Sequence, residues 1–77
     1  MHLLPQRWWE FLRNAGETGM GYQTGNIVLK DGTIFEDAVF MNPYLGGIRG
    51  HAHGDIPFNV ADIDRIELTH KRWKWEW

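Results

Sequence analysis

The residues of this chain best suited to binding a metal ion lie close together in the segment 51–55. His51, His53 and Asp55 occupy alternate positions, so in an extended strand their side chains would point to one side. Two imidazoles and a carboxylate are a competent ligand set for zinc. The glycines in and beside the segment favour a turn instead, and no fourth ligand is evident. We interpret the segment as a structural turn, with a divalent-metal site at these three residues as an alternative.

The same five residues resemble the HxHxDH signature of the metallo-β-lactamase and glyoxalase II superfamily. In that superfamily the two histidines, with a further histidine after the aspartate, bind zinc. Here Ile56 stands in place of the further histidine. The resemblance covers five residues only, and a chain of 77 residues is far too short for that fold. We therefore do not assign the chain to this superfamily.

Residues for other kinds of catalysis are scarce. The chain contains no cysteine and no serine, which removes the commonest nucleophiles. Carboxylates occur close together at 36–37 and at 62–64. A chain this short, however, seldom encloses the water-poor pocket that raises the pKa of a carboxyl group. We predict that the protein is not an enzyme and that it needs no cofactor.

The length of the chain allows one domain, residues 1–77. A chain this short buries only about 60% of the surface of its unfolded state. Without cysteine, it has neither a disulfide nor a thiolate zinc site to stabilise the fold. Five tryptophans, four phenylalanines and two tyrosines provide bulk for a small core. Self-association is the other common remedy, so a homo-oligomer is one expectation.

The charge of the chain is unevenly distributed. Residues 14–64 contain two basic and seven acidic residues, whereas residues 65–77 contain four basic and two acidic ones. An acidic body argues against a domain that wraps duplex DNA. The first residues lack the features of a signal peptide, and no apolar run approaches the roughly 18 residues of a membrane span. We expect a cytoplasmic protein without a membrane partner.

A β-hairpin is the strongest structural signal in the sequence. Apolar runs flank Lys30-Asp31-Gly32, and Asp-Gly between such runs is a strong indicator of a hairpin turn. The second strand, 33–41, departs from strict alternation. A β-bulge near Glu36-Asp37 would restore it and bend the strand, as a small barrel requires. The bulge would bring three side chains to one inner face: Phe35, Ala38 and Phe40.

One helix is predicted before the hairpin, at about residues 5–15. Pro5 suits its first turn, and Gly16 is a suitable stop. Four side chains at helical spacing would form its apolar stripe: Trp8, Phe11, Leu12 and Ala15. We expect this helix to cap one end of a β core that spans residues 22–77, with a glycine-rich loop at 16–21 between them.

Four further elements are predicted after the hairpin. Residues 44–49 suit a short, glycine-interrupted strand, 59–62 a single helical turn and 63–68 a strand. Residues 56–58 suit an extended segment, which Pro57 places at a sheet edge or a strand end. The tail, 73–77, alternates perfectly and would place three tryptophans on one face: Trp73, Trp75 and Trp77. That face is either a lid on the barrel or an exposed aromatic ladder for a ligand.

This order of elements resembles that of SH3-like small barrels, and the Sm and Sm-like proteins are the closest comparison. The segment 28–32, Val-Leu-Lys-Asp-Gly, is similar to the start of their first motif. Met41-Asn42 and 48–50, Ile-Arg-Gly, are similar to the pairs that line their RNA pocket. The resemblance implies a helix followed by a strongly bent five-stranded antiparallel barrel. It also implies RNA-binding roles for Asn42 and Arg49, with Tyr44 as a stacking ring.

The chain departs from that family at the RNA motifs. Met41-Asn42 follows the Asp-Gly turn too soon, Pro43 stands where strand is expected, and the His-Ala-His-Gly insertion is foreign to the family. The resemblance therefore supports the architecture more than the RNA site.

Three functions are compatible with the sequence. The first is a non-catalytic interaction module that binds a protein partner or its own copy. The second is single-stranded RNA or DNA binding by aromatic stacking and basic charge, and the third is the metal site. The candidate ligand-binding residues are Asn42, Tyr44, Arg49, Lys71, Arg72, Trp73, Lys74 and Trp75.

Overall fold

A computed structural model describes residues 1–52 and 54–73. Their sheet has five antiparallel strands in the order β1-β4-β3-β2-β5 and curls into a half-barrel. This confirms the predicted mainly β fold with one helix. The elements, in chain order, are β1 (His2–Leu3), α1 (Gln6–Asn14), β2 (Gln23–Leu29), β3 (Ile34–Met41), β4 (Tyr44–Ile48), a 3₁₀ helix (Val60–Asp62) and β5 (Ile63–Leu68).

The predicted hairpin joins β2 to β3. The amide of Leu29 donates to the carbonyl of Thr33, and Gly32 takes the left-handed conformation with φ of 90°. The Asp31 carboxylate accepts a hydrogen bond from the Thr33 amide over 2.9 Å. This bond, with one from the Thr33 side chain, lowers the pKa of Asp31. The turn thus uses its aspartate and its glycine as the sequence predicts.

The predicted bulge in β3 is also confirmed. Glu36 and Asp37 together lie opposite the single β2 residue Asn26. Asp37 has φ of 57°, a left-handed conformation that aspartate tolerates better than most residues. Because the bulge resets the alternation, the flanking apolar side chains all pack on the core: Phe35, Ala38 and Phe40.

Helix α1 lies between the two sides of the curled sheet. Trp8 and Leu12, one turn apart, are buried in the core. The Arg7 guanidinium donates to the carbonyl of Ile63 in β5, and the Asn42 amide beyond β3 donates to the carbonyl of Trp9 over 3.0 Å. The helix therefore caps the half-barrel, as predicted, and fastens β5 to the turn between β3 and β4.

The segment 56–58, predicted to be extended at a sheet edge or a strand end, is not a strand of the sheet. The fifth strand of the sheet is β1, which pairs with β4. Pro57 has no amide hydrogen to donate to a neighbouring strand. Ile56 and Phe58 instead pack against the core from outside the sheet, with the Phe58 ring 5.0 Å from that of Phe35. The predicted helical turn that follows is confirmed, with the Asn59 side chain accepting from the Ala61 amide.

Candidate interaction surface

The edge of the sheet formed by β1 and β4 exposes apolar side chains. Leu3 lies directly opposite Tyr44, and Tyr44 lies opposite Met41 of β3. These residues therefore form one cross-strand row on the outer face. Leu3 is 54% exposed and Tyr44 is 39% exposed. With Met1, which precedes β1 and is also exposed, they make up what we call the outer patch: Met1, Leu3, Met41 and Tyr44.

The floor of the outer patch is formed by a methionine side chain that packs over a glycine. A side chain on Gly46 would collide with the methyl group of Met41 and approach Val39 closely. The Met41 side chain therefore lies over Gly46. Methionine adapts its shape readily to a contacting surface, so this floor suits an apolar ligand group.

A groove of about 600 Å³ runs along the other side of β1. Its walls are β1 with Met1 on one side and the segment 56–60 on the other. Three of its residues also pack against the core: Ile56, Phe58 and Val60. The groove borders the outer patch at Leu3, so the two lie next to each other along the edge strand.

The residues matched to the RNA pocket of Sm proteins do not come together. Asn42 precedes β4 and Arg49 follows it, so they lie about 20 Å apart along the strand direction. Each also has a structural contact. The Asn42 amide donates to the helix, and the Arg49 guanidinium pairs with Asp37 over 3.0 Å. Tyr44 is near Asn42 but not near Arg49, and its side chain is part of the outer patch.

The Asp37–Arg49 pair belongs to the network that holds the bulge. The Asp37 amide donates to the Asn26 side chain over 3.3 Å, and the Asp37 carbonyl accepts from the Arg49 amide over 2.9 Å. The Asp37 carboxylate is buried, whereas the Arg49 side chain is half exposed. The ion pair therefore fixes the start of the loop that follows β4.

The histidine segment forms a turn, in agreement with our first interpretation. The His51 amide donates to the carbonyl of Ile48, and the Asp55 amide to the carbonyl of Ala52. The His51 ring has an edge contact with the ring of Phe35 at 6.1 Å. Among residues 1–52 and 54–73, no cluster of potential ligands could hold a metal ion. His53 lies outside the described residues, so the metal site stays a prediction.

The chain after β5 turns onto the outer face of the sheet. His70 takes a left-handed conformation, with φ of 54°, and its ring nitrogen lies 2.7 Å from the hydroxyl of Thr18. The Thr24 hydroxyl then donates to the carbonyl of Lys71. The Lys71 and Arg72 side chains are exposed and Trp73 is partly buried. Lys74 and Trp75, with the last two residues of the predicted tail strand, lie outside the described residues.

Comparisons with protein-family models, with curated proteins and with solved structures found no match to this chain. In the described part of the chain, no helix is both long enough and apolar enough to cross a membrane.

Sequence reasoning selected Tyr44 and noted Met41 only as part of the Met41-Asn42 pair, and it missed Leu3. Leu3 was not assigned to any element, because a two-residue strand carries no periodicity. Met41 was assigned to the end of β3 without a partner. Only the pairing of β1 with β4 shows that these side chains share one surface.

Proposed function

We propose that the protein is a non-catalytic interaction module that binds a protein partner, or its own copy, through the outer patch. The observation that carries this proposal is the exposed pair of Leu3 and Tyr44 at the edge of the sheet. Exposed apolar patches of this kind mark interaction sites more often than scattered apolar residues do. Tyrosine is also among the residues that most often dominate binding energy.

The groove beside β1 indicates which part of a partner would bind. Five of the seven residues that line it are apolar, and it is open along the edge strand. An extended segment with an apolar side chain could place that side chain in the groove, while its neighbours cover Leu3 and Tyr44. A partner of this kind needs no charge complementarity, so we expect its binding to depend weakly on salt.

We further propose that the half-barrel is a small barrel of the SH3-like type, with the Sm-like proteins as the closest comparison. The helix, the Asp-Gly hairpin, the bulged strand and the 3₁₀ turn before β5 support this relationship. The edge strand β1, formed by residues before the helix, is a departure from the order that we predicted.

The test of the interaction site is photo-crosslinking from position 44, with position 34 as the matched control. Ile34 is 56% exposed but lies at the start of β3, at the opposite end of that strand from Met41. We expect a photoreactive residue at position 44 to capture one partner, or a second copy, that position 34 does not capture. Equal capture from both positions would contradict a specific site.

Substitutions would then measure the contribution of the patch. With the purified partner, Leu3→Ser and Tyr44→Ser are each expected to weaken binding about tenfold, the effect of losing about 1.4 kcal/mol. Ile34→Ser is expected to change it less than twofold. Binding that is unchanged in both patch variants, measured by calorimetry, would overturn the proposal. Circular dichroism of each variant checks that the fold is intact.

A second candidate function is binding of single-stranded nucleic acid. The exposed Lys71 and Arg72 beside the partly buried Trp73 favour this function. The cations suit contact with the nucleic-acid backbone, and the aromatic ring suits stacking on a base. Titration with single-stranded RNA, followed by tryptophan fluorescence, should give an affinity that falls steeply as salt rises. Quenching that is insensitive to salt would count against this function.

A further inference from the structure

Strand β5 lies at the opposite edge of the sheet from β1. The strand order places β2 on one side of β5, and in the described part of the chain no strand lies on its other side. We call this other side the β5 edge. An edge strand presents backbone amides and carbonyls that can pair with a further strand. The β5 edge is therefore a second candidate surface, separate from the outer patch.

The hydrogen bonds to β2 show which backbone groups point to the β5 edge. The Thr24 carbonyl accepts from the Thr69 amide, so these groups face each other across the two strands. The direction of hydrogen bonding alternates along an antiparallel strand. Glu67 and Arg65 therefore also face β2, whereas the amide and carbonyl of Ile66 point to the β5 edge. Among the residues that the structure describes, no backbone group outside the sheet bonds to either of them.

Two contacts set the length of chain that can pair at this edge. At the start of β5, the Arg7 guanidinium donates to the carbonyl of Ile63. After its end, the amides of Thr69 and His70 donate to β2, and the left-handed His70 turns the chain away. The segment 64–68 between these contacts could pair with another strand.

The outer face of this segment carries a self-complementary pattern of charge. Arg65 and Glu67 are both exposed, and within one copy the arginine donates to the glutamate over 3.1 Å. An antiparallel pair of two copies with its two-fold axis at Ile66 would place each arginine directly opposite the glutamate of the other copy. Opposite charges in directly opposed positions stabilise a sheet, whereas like charges destabilise it. This register opposes unlike charges at both positions, so the chemistry of the edge fits a second copy of the chain.

We propose that two copies of the chain associate through the β5 edge as an antiparallel pair centred on Ile66. The Ile66 amide of each copy donates to the Ile66 carbonyl of the other, and one sheet continues across both half-barrels. Association of this kind is a common source of stability for a small domain. The outer patch lies at the other edge of each sheet, so the proposal goes beyond the proposed function and does not depend on it.

Charge reversal tests the proposed register. Arg65→Glu and Glu67→Arg each oppose like charges at both symmetric positions, so each variant alone should dimerise about tenfold more weakly than the wild type. An equimolar mixture of the two variants opposes unlike charges again at both positions. We therefore expect the mixture to form a heterodimer, and the double variant Arg65→Glu/Glu67→Arg to form a homodimer, about as readily as the wild type. Sedimentation equilibrium measures each association.

Glu36→Arg is the matched control for the change in net charge. Glu36 is exposed, but it lies on β3, between β2 and β4. This variant should dimerise as the wild type does, and circular dichroism checks that every variant is folded. A wild type that is monomeric at all concentrations measured, or a mixture that associates no better than its two components, would overturn the proposal.

Amide hydrogen exchange identifies the backbone contact. The Ile66 amide is hydrogen-bonded in the pair but points away from β2 in the single copy. Its exchange should therefore be slower in the wild type than in Arg65→Glu at the same concentration. The Glu67 amide, which faces β2, should be protected in both. Equally fast exchange of Ile66 in the two proteins would overturn the proposal.

The outer-patch variants separate this pair from association through the outer patch. Leu3→Ser and Tyr44→Ser should leave dimerisation unchanged. Loss of the dimer in Tyr44→Ser, with no effect of Arg65→Glu or Glu67→Arg, would place the second copy on the outer patch, which overturns the pairing at the β5 edge and supports the proposed function. Failure of the proposed function would instead abolish the effects of the patch variants on partner binding and leave the results of charge reversal intact.

Discussion

The inner and outer faces of the same strands differ in burial in this protein. Leu45 and Tyr44 are adjacent in β4, yet Leu45 is fully buried and Tyr44 is exposed. The inner row includes Ile27, Phe40 and Ile63, which are also fully buried. In a domain this small, the inner row supplies most of the buried apolar area that offsets the entropy of folding. The outer row at β1 and β4 adds little to that area and is therefore available for binding.

The outer face is itself divided into two regions. Thr24 and Val39 are buried, and Thr24 bonds to the chain that follows β5, whereas Leu3 and Tyr44 are exposed. Substitutions in the inner row should therefore reduce stability, and substitutions in the open part of the outer row should reduce binding alone.

The largest effect is expected for Phe40→Ala. Phe40 is fully buried in the core, and removal of a buried phenylalanine side chain costs about 3–5 kcal/mol. That is a large share of the stability of any small domain. Tyr44→Thr, in the next strand but on the outer face, should cost less than about 1 kcal/mol. Urea denaturation followed by circular dichroism gives both values.

If Phe40→Ala does not fold at all, Phe40→Leu still tests the difference between the faces. It retains an apolar side chain and should cost about 1.5 kcal/mol or less. A loss of stability in Tyr44→Thr that equals or exceeds that in Phe40→Leu would show that the outer patch is part of the core. The binding proposal would then lose its physical basis.

Much of the inner face could be predicted from the sequence. Asp-Gly fixed the hairpin, and the broken alternation around Glu36-Asp37 indicated the bulge that turns Phe35 and Phe40 inward. These signals are local, since each depends on residues a few positions apart. The outer patch depends on contacts between Leu3 and Tyr44, more than 40 residues apart. Neither residue carries a signal for that pairing, so only the folded structure shows it.

An intermediate effect is expected for Gly25→Ala, which lies in the inner row of β2. A methyl group there would lie 2.5 Å from the carbonyl oxygen of Glu67 and 2.9 Å from the Cα of Leu68. Both are backbone atoms of β5, so the strands would have to separate. We expect a loss of about 1–3 kcal/mol in the free energy of unfolding, as for other overpacked sites.

Gly47→Ala is the matched control for this close approach. The nearest atom to a methyl group at Gly47 is the Gly54 nitrogen, at 3.9 Å, which is an ordinary contact. Its stability should stay within about 1 kcal/mol of the wild type and could rise, since alanine restricts the unfolded chain. Thermal denaturation of Gly25→Ala and Gly47→Ala, measured side by side, compares their stabilities. Equal losses would mean that β2 and β5 are not packed as closely as the structure shows.

The smallest difference within a pair of variants is expected at Asp37, a polar residue whose backbone conformation sets the inward direction of its apolar neighbours. Asp37→Ala removes the ion pair to Arg49 and places alanine in a left-handed conformation. The conformation costs alanine about 1–2 kcal/mol, and an ion pair with a half-exposed arginine contributes up to about 1 kcal/mol.

Asp37→Gly removes the same ion pair but adopts the conformation without strain. If the bulge is what turns Phe35 and Phe40 to one face, Asp37→Gly should be more stable than Asp37→Ala by about 1 kcal/mol in urea denaturation. Equal stabilities would mean that the left-handed conformation at position 37 does not strain alanine and does not maintain the bulge.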